Sequence, residues 1–202
     1  MSLETIAAAF ALNVGVEQTS QITTSQDRTW QEMLSLTNLV GNELARRVDW
    51  GALTKTQTIF SSGTPRTYDL SDDFSRITSG VGVTTTGGGI VRPLTRAEWA
   101  LLPAGEIGIP RYFLLEDRTI TFWPHPFPGE DITVSYQSEN WAEANQRGYA
   151  SDETAALIDE DLILLGLIVR WRRQKGMDYA DYEAEYEATL LQLASFDDRS
   201  RL

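Results

Sequence analysis

The chain has 202 residues, of which 42% are hydrophobic and 10% aromatic, and its formal net charge is −12 at pH 7. This length suits one domain, or one domain that carries a large insertion. The absence of cysteine excludes disulfides and thiolate chemistry, and the single histidine, His125, disfavours His-rich metal sites and His-dependent triads. The negative charge argues against an ordinary nucleic-acid binder, because affinity for DNA depends mainly on cationic contacts to phosphate.

The first 50 residues predict two helices. Residues 3–12 form a short apolar helix with Ser2 as its N-cap, and the lack of a basic leader favours this helix over a signal peptide. Residues 27–50 form a longer helix with Ser25 as its N-cap, because apolar residues recur at spacings of three and four. Gly41 within this helix is predicted to be a point of close packing.

From residue 54 the pattern changes to β-branched residues in alternation, which predicts strands. Strand 66–70 is expected to return against strand 54–60. The glycine-rich segment 79–89 predicts a flexible loop or a hairpin tip. Thr95 and Glu98 form a capping box that opens a short helix. The other strands are predicted at 90–93, 112–115, 118–123 and 132–137.

Residues 159–175 predict a helix with acids at its start and bases at its end, which complements the helix dipole. Its middle is apolar on every side except at Gly166, so it is expected to be a buried core helix. It is too short to cross a bilayer, which takes about 20 residues, and no other stretch is long and apolar enough. After Gly176, Asp178 caps a final helix whose packing face is formed by Tyr179, Tyr182, Tyr186, Leu190 and Leu193.

This order of elements predicts an α+β fold: an antiparallel helical bundle built from both chain ends, with an inserted β-rich domain that is barrel- or sandwich-like. Residues 1–53 and 141–195 are the two parts of the bundle. Residues 54–140 are the inserted domain, and residues 196–202 are a C-terminal tail with no clear partner in the chain.

No set of residues predicts catalysis, so we expect a protein that is not an enzyme and has no cofactor or metal. The glycine run lacks the Gly-Lys-Ser/Thr of a phosphate loop. Neighbouring acids could supply the carboxylate pair of a glycosidase, but acids in turns are common. The densest basic cluster could contact phosphate, although dipole complementation and ion pairing with a neighbouring acidic helix start are favoured. The acidic pairs are Asp72–Asp73, Glu116–Asp117 and Glu130–Asp131, and the basic cluster is Arg170, Arg172, Arg173 and Lys175.

Three stretches of the chain resemble phage head–tail adaptor (connector) proteins, including the tail tubular protein A type of short-tailed phages. The first is NELARRVDW at 42–50, followed by TQTI at 56–59 and YDLSDDF at 68–74. The second is IPRYFLL at 109–115, with ITFWP at 120–124 and YQSENW at 136–141. The third is LILLGLIVRW at 162–171, with GMDY at 176–179. Together they cover most of the chain in the expected order.

The resemblance implies a structural protein of the virion neck that is made in the bacterial host cytoplasm. It implies a ring of about twelve subunits that docks beneath the portal protein, joins it to tail or neck proteins and helps to retain packaged DNA. DNA would pass through the ring without sequence-specific binding, and no membrane is involved. An acidic channel wall would fit that passage, because like charge disfavours adhesion to phosphate.

Three groups of residues are predicted to make the contacts of such an adaptor. The portal contact is assigned to Phe196, Asp197, Asp198, Arg199, Ser200, Arg201 and Leu202, ordered only on binding. The subunit interface is assigned to Asp159, Glu160, Asp161, Arg170, Arg172 and Arg173. The loop that contacts the tail partner is assigned to Gly80, Gly82, Gly87, Gly88 and Gly89.

Two other functions stay open at this point. One is another neck or tail component, such as a stopper or tube protein, which would be mostly β. The other is a glycan-binding or carbohydrate-active module that uses Trp99, Trp123 and Trp141.

Overall fold

The structure is a computed structural model, and it describes residues 2–64 and 67–199. Within that part of the chain the fold is α+β, with five α-helices and two four-stranded sheets. The chain divides into two compact units, which are described separately below. The helical unit contains residues 2–53 and 139–199, and the β unit contains residues 54–138.

The helical unit contains four α-helices, and one of them is at its centre. The helices are α1 (Leu3–Val14), α2 (Arg28–Arg47), α4 (Glu160–Gln174) and α5 (Ala180–Arg199). Helices α1, α2 and α5 all pack against α4. Leu162, Ile163 and Leu167 of α4 are fully buried, which confirms the prediction of a core helix. None of the helices in the described residues has the length and apolar character needed to cross a membrane.

The predicted start and end of α2 are wrong by a few residues. The N-cap is Asp27, whose side chain accepts a hydrogen bond from Thr29 N at 2.7 Å. Ser25 instead accepts a bond from Asp27 N, so its side chain supports the cap from outside the helix. The helix ends at Arg47, because Val48 is already extended and Trp50 turns inward to donate from Nε1 to Leu44 O at 2.8 Å.

The predicted face of α5 is confirmed. Tyr186 and Leu190 are buried in the helical core, and Tyr179, Tyr182 and Leu193 pack against it. The carboxylate of Asp178 accepts a hydrogen bond from Ala180 N at 3.2 Å at the start of this helix.

The β unit has two sheets that share one apolar core. In the first sheet, β8 (Asp131–Ser138) pairs along its whole length with β1 (Thr54–Phe60) and on its other edge with β3 (Phe74–Ile77) and β4 (Val83–Thr85). The second sheet has the order β2 (Thr67–Asp69), β7 (Thr119–Trp123), β6 (Tyr112–Glu116) and β5 (Arg92–Pro93). Core side chains come from both sheets, and no closed barrel forms among the described residues.

Two predictions for the β unit are wrong. The strand that follows β1 does not return against it, because β2 pairs with β7 in the other sheet and β1 pairs with β8. The segment 79–89 is not simply a loop, because β4 lies in its middle and pairs with β8. Its second half is a hairpin turn, as predicted, in which Gly88 N donates to Thr85 O at 2.8 Å.

Several other local predictions are confirmed, although the strand predicted at 90–93 is limited to Arg92–Pro93. β1 has the predicted bounds, β6 and β7 form the predicted hairpin, and β5 is an edge strand. The capping box opens the short helix α3 (Arg96–Trp99), with Thr95 N donating to Glu98 Oε2 at 2.8 Å.

Candidate functional site

The basic cluster at the end of α4 makes its contacts within its own chain. Arg170 pairs with Glu43 of α2, and Lys175 pairs with Glu32 of the same helix at 2.6 Å. Arg173 pairs with Glu183 of α5 at 2.5 Å. Three of the four cations that were candidates for phosphate contact therefore pair with acids on α2 and α5, and Arg172 donates to the backbone oxygen of Asp178.

Aromatic rings hold the same cations in place. The guanidinium of Arg172 lies 4.6 Å from the ring centroid of Tyr182, and that of Arg173 lies 4.6 Å from the ring of Tyr179. Hydrogen bonding to Tyr179 and the nearby carboxylate of Glu183 raise the pKa of Arg173. Such cation–π contacts stabilise the connection from α4 to α5.

Two of the three acids at the start of α4 also make hydrogen bonds within the chain. Asp159 accepts a hydrogen bond from Leu162 N at 2.9 Å and so caps the helix. Glu160 is buried, and its Oε1 accepts from Ala156 N at 3.0 Å. Asp161 is exposed at the helix surface. Whether these acids and the α4 bases also contact another subunit stays a prediction.

A second set of ion pairs connects α2 with α5. Arg47 donates from both terminal nitrogens to Glu187, at 2.7 and 2.6 Å, and one of them also reaches Glu43 at 3.2 Å. This bidentate contact holds the pKa of Glu187 below its usual range. The sequence placed Arg47 on a polar face of α2 but contained no signal for its partner, 140 residues away.

The C-terminal end of α5 lies beside an apolar groove. The prediction that residues from 196 onwards have no partner in the chain is wrong at Asp197, whose carboxylate accepts a hydrogen bond from Gly51 N at 2.7 Å. Phe196 is 58% exposed. Asp198 and Arg199 lie within α5, and Ser200, Arg201 and Leu202 lie outside the described residues. The groove of about 450 Å³ is lined by Trp50, Ala52, Leu157, Ile158, Asp159, Leu193, Phe196 and Asp197.

The five glycines predicted to contact a tail partner separate into two groups. Gly80 and Gly82 lie between β3 and β4 and line an open groove of about 400 Å³ at one side of the β unit, together with Phe113 and Leu115. Gly87, Gly88 and Gly89 form the tip of the hairpin that follows β4. A Cβ at Gly80, Gly87 or Gly88 would meet no other atom within 4 Å.

The acidic pair Asp72–Asp73 does not form a pair of free carboxylates. Asp73 is buried and accepts hydrogen bonds from Lys55 Nζ at 2.6 Å, Tyr136 OH at 2.8 Å and Ser138 Oγ at 2.8 Å. Burial alone would raise the pKa of Asp73, but these donors and Ser71 outweigh it and hold the pKa well below its usual range. The carboxylate is therefore a fixed structural anion of the β unit.

The tryptophans proposed for glycan binding differ in environment. Trp141 is completely buried in the helical unit and cannot stack on a sugar ring. Trp123 stacks on Tyr112 and donates from Nε1 to Pro103 O at 2.9 Å. Trp99 is partly exposed at the end of α3.

The described residues include no group of three or more histidines and acids placed to hold a metal ion. The backbone N–H of His125 donates a hydrogen bond to Glu106 O at 2.8 Å. Exposed apolar surface lies in the groove beside Phe196 and in the groove beside Gly80 and Gly82, and such surface can mark a site of protein–protein interaction.

The fold alone does not define the function of this chain, so comparison with known proteins decides its class. A search of curated proteins found no significant match, but the family model described as SU10 adaptor protein matches residues 1–202. The chain therefore belongs to the SU10 adaptor protein family, a family of phage head–tail adaptors. The resemblance to head–tail adaptors is confirmed, and the protein is a structural component of a phage virion.

Proposed function

We propose that this protein is the head–tail adaptor that docks as a ring beneath the portal and joins it to the tail. About twelve copies would form the ring, which is the number that the resemblance to head–tail adaptors implies for a closed cyclic assembly. The copies are made in the host cytoplasm and become part of the virion neck. The observation that carries the proposal is the match of the adaptor family model to the entire chain.

In the proposed ring, both ends of the chain build an antiparallel helical bundle, and the β unit is an insertion that contacts tail or neck proteins. Two features support this assignment of roles to the two units. The ion pairs Arg47–Glu187 and Arg170–Glu43 connect helices from opposite ends of the chain. The β unit has an open apolar groove beside Gly80 and Gly82 that could receive a side chain of a tail protein.

The charge distribution supports passage of DNA without adhesion. Twenty of the 29 acidic residues belong to the helical unit and its terminal residues, against ten of the 17 lysines and arginines. Three of the four cations in its main basic cluster already pair with Glu43, Glu32 and Glu183. A channel wall formed by this unit would repel phosphate, because like charges repel over about 8 Å at physiological salt.

The portal contact is proposed at the C-terminal end of α5 and the residues that follow it. Phe196 exposes an aromatic ring next to the groove formed by Trp50, Leu157 and Leu193. Exposed aromatic residues beside an apolar pocket are common anchors of protein interfaces. The portal is expected to offer an apolar side chain to this groove.

Light scattering with and without purified portal tests the proposed function. We expect the adaptor to join the portal ring in a fixed, near-equal ratio of subunits. A chain that remains separate from the portal under all assembly conditions would contradict the proposal.

A test of the portal contact requires variants that keep the Asp197–Gly51 hydrogen bond, because deletion of residues 196–202 would remove that bond. Phe196→Ser and deletion of residues 198–202 are expected to weaken portal binding by at least about tenfold each, as for anchor residues of interfaces. Leu12→Ser is the control, since Leu12 is 79% exposed on α1. Equal binding by Phe196→Ser and the control would exclude this end of α5 as the contact.

A further inference from the structure

One face of α2 carries a row of exposed residues. Gln31, Ser35, Leu39 and Arg46 follow one another at spacings of four or seven residues, so they share one side of the helix. Leu39 is 49% exposed in the middle of this face. These four residues form the outer α2 face.

The opposite side of α5 from its packing face is also exposed and partly apolar. Ala184, Glu185, Ala188, Leu191 and Gln192 are all exposed, and they recur at spacings of three and four. Leu191 is 70% exposed. These five residues are called the outer α5 face. Its two alanines would let another helix approach to the short end of the usual 8–10 Å range.

The two faces carry complementary charges at matching distances from their leucines. Arg46 follows Leu39 by seven residues, which is about 10.5 Å along a helix. Glu185 precedes Leu191 by six residues, which is about 9 Å. If the helices run in opposite directions, Leu39 can meet Leu191 while the long side chain of Arg46 reaches Glu185, which lies about 120° around α5 from Leu191.

These two charges are available for such a contact. Neither Arg46 nor Glu185 has an ion-pair partner in the part of the chain that the structure describes, whereas the adjacent Arg47 pairs with Glu43 and Glu187. Likewise Arg170 and Arg173 are paired with Glu43 and Glu183 within the chain. Arg46 and Glu185 are therefore two of the exposed charges that remain for a neighbouring copy, and Asp161 on α4 is another.

We propose that the outer α2 face of one copy packs antiparallel on the outer α5 face of the next copy. The contact joins two different surfaces of the same chain, so it is heterologous and can propagate from copy to copy into a closed ring. The inference rests on the proposed ring and names the surface that builds it. It is separate from the predicted interface at Asp159–Asp161 and the α4 bases.

Because the chain has no cysteine, engineered cysteines report the contact directly. Copies with Leu39→Cys are mixed with copies that carry Leu191→Cys, and disulfide-linked dimers are measured under mild oxidation. A heterologous contact predicts dimers in the mixture and few in either variant alone. Leu12→Cys mixed with Leu191→Cys is the control, and the specific pair should react on the order of tenfold faster because contact raises the effective concentration.

Charge reversal tests the register of the contact. Arg46→Glu on the Leu39→Cys copy, or Glu185→Arg on the Leu191→Cys copy, should each reduce the cross-linking rate toward that of the control. The two reversals together, one on each copy, should restore it. All these positions are exposed, and circular dichroism of each variant checks that the helices are kept.

Cross-linking of Leu39→Cys with Leu191→Cys at the control rate would overturn the proposed contact. A cross-linking rate that the charge reversals leave unchanged would also overturn it. Both conclusions hold even if the protein joins a portal ring. Specific cross-linking by a protein that never joins a portal ring would instead contradict the proposed function and leave the contact standing.

Discussion

The indole ring of Trp141 lies directly against the backbone of Gly41 in α2. A Cβ atom at residue 41 would come within 2.2 Å of Trp141 Cζ2, far closer than two non-bonded carbon atoms can approach. Trp141 is fully buried, and its Nε1 donates to Asn42 Oδ1 at 3.2 Å. Trp141 is the third residue after the end of β8, so this contact fixes the first part of the chain that re-enters the helical unit.

Gly41→Ala should destabilise the protein by about 1–3 kcal/mol, the usual range for overpacking a filled core. The added methyl group would have to displace the indole ring of Trp141, which is enclosed on all sides. Urea unfolding measures the effect. Gly87→Ala is the matched control, because a Cβ there has no neighbour within 4 Å, and a similar loss in both variants would contradict this explanation.

Asp73→Asn should lower stability at neutral pH by about 1–3 kcal/mol, the range for leaving buried donors without their acceptor, because the Lys55 side chain of the pair is 40% exposed. The amide cannot pair with the ammonium of Lys55 and accepts fewer of the hydrogen bonds from Ser71, Tyr136 and Ser138. Asp72→Asn is the control, since its neighbour Asp73 makes these contacts. The free energy of unfolding of both variants is measured in urea at pH 7.

The same carboxylate should make stability depend on pH in the acid range. The pKa of Asp73 in the folded protein lies below the value of about 3.9 in an unfolded chain, so its contribution is complete above that value. The contribution is lost as the pH falls through the folded pKa, beginning below about pH 5. Asp73→Asn should therefore flatten the acid limb of the stability curve, and an unchanged slope would rule out Asp73 as its cause.

Asp159→Ala should cost about 0.5–2 kcal/mol through loss of the N-cap of α4. The carboxylate of Asp159 satisfies Leu162 N, which has no partner within the helix. Asp161→Ala removes a charge from the same helix turn but no cap, and it should cost only a few tenths of a kcal/mol. Thermal unfolding of the pair separates the two effects, and equal losses would contradict the capping role.

Removing the Arg47–Glu187 ion pair should have a small effect that depends on salt. The side chains of Arg47 and Glu187 are 35% and 44% exposed, so a coupling free energy of about 0.2–1 kcal/mol is expected. A double-mutant cycle with Arg47→Gln and Glu187→Gln measures it at low and high salt. A coupling that is unaffected by salt would mean that packing, not charge, joins these side chains.

Patterns within a short stretch of sequence predicted most of the helices and strands. The spacing of Trp30, Met33, Val40 and Leu44 identified α2, and all four side chains are buried. The failures concern partners that are distant in sequence. The turn after β1 favoured a local hairpin, but β1 pairs with β8, and no local pattern carries that information.

The candidate surfaces were harder to predict for the same reason. The basic residues of α4 were visible in the sequence, but their partners Glu43 and Glu32 lie 127 and 143 residues away. Exposure of Leu39 and Leu191 could not be inferred either, because periodicity places a leucine on a helix face without saying what covers it. Only the packing of the helices separates the leucines of the core from those of the surface.

The pairing of β1 with β8 brings the two ends of the β unit together. Thr54, where the chain enters the β unit, is the register partner of Gln137, next to the last residue of that unit. Entry and exit are thus separated by the spacing of one strand pair, roughly 5 Å. A segment with its two ends side by side can be gained, lost or exchanged in one recombination event between phage genomes, while the helices on either side keep their sequence.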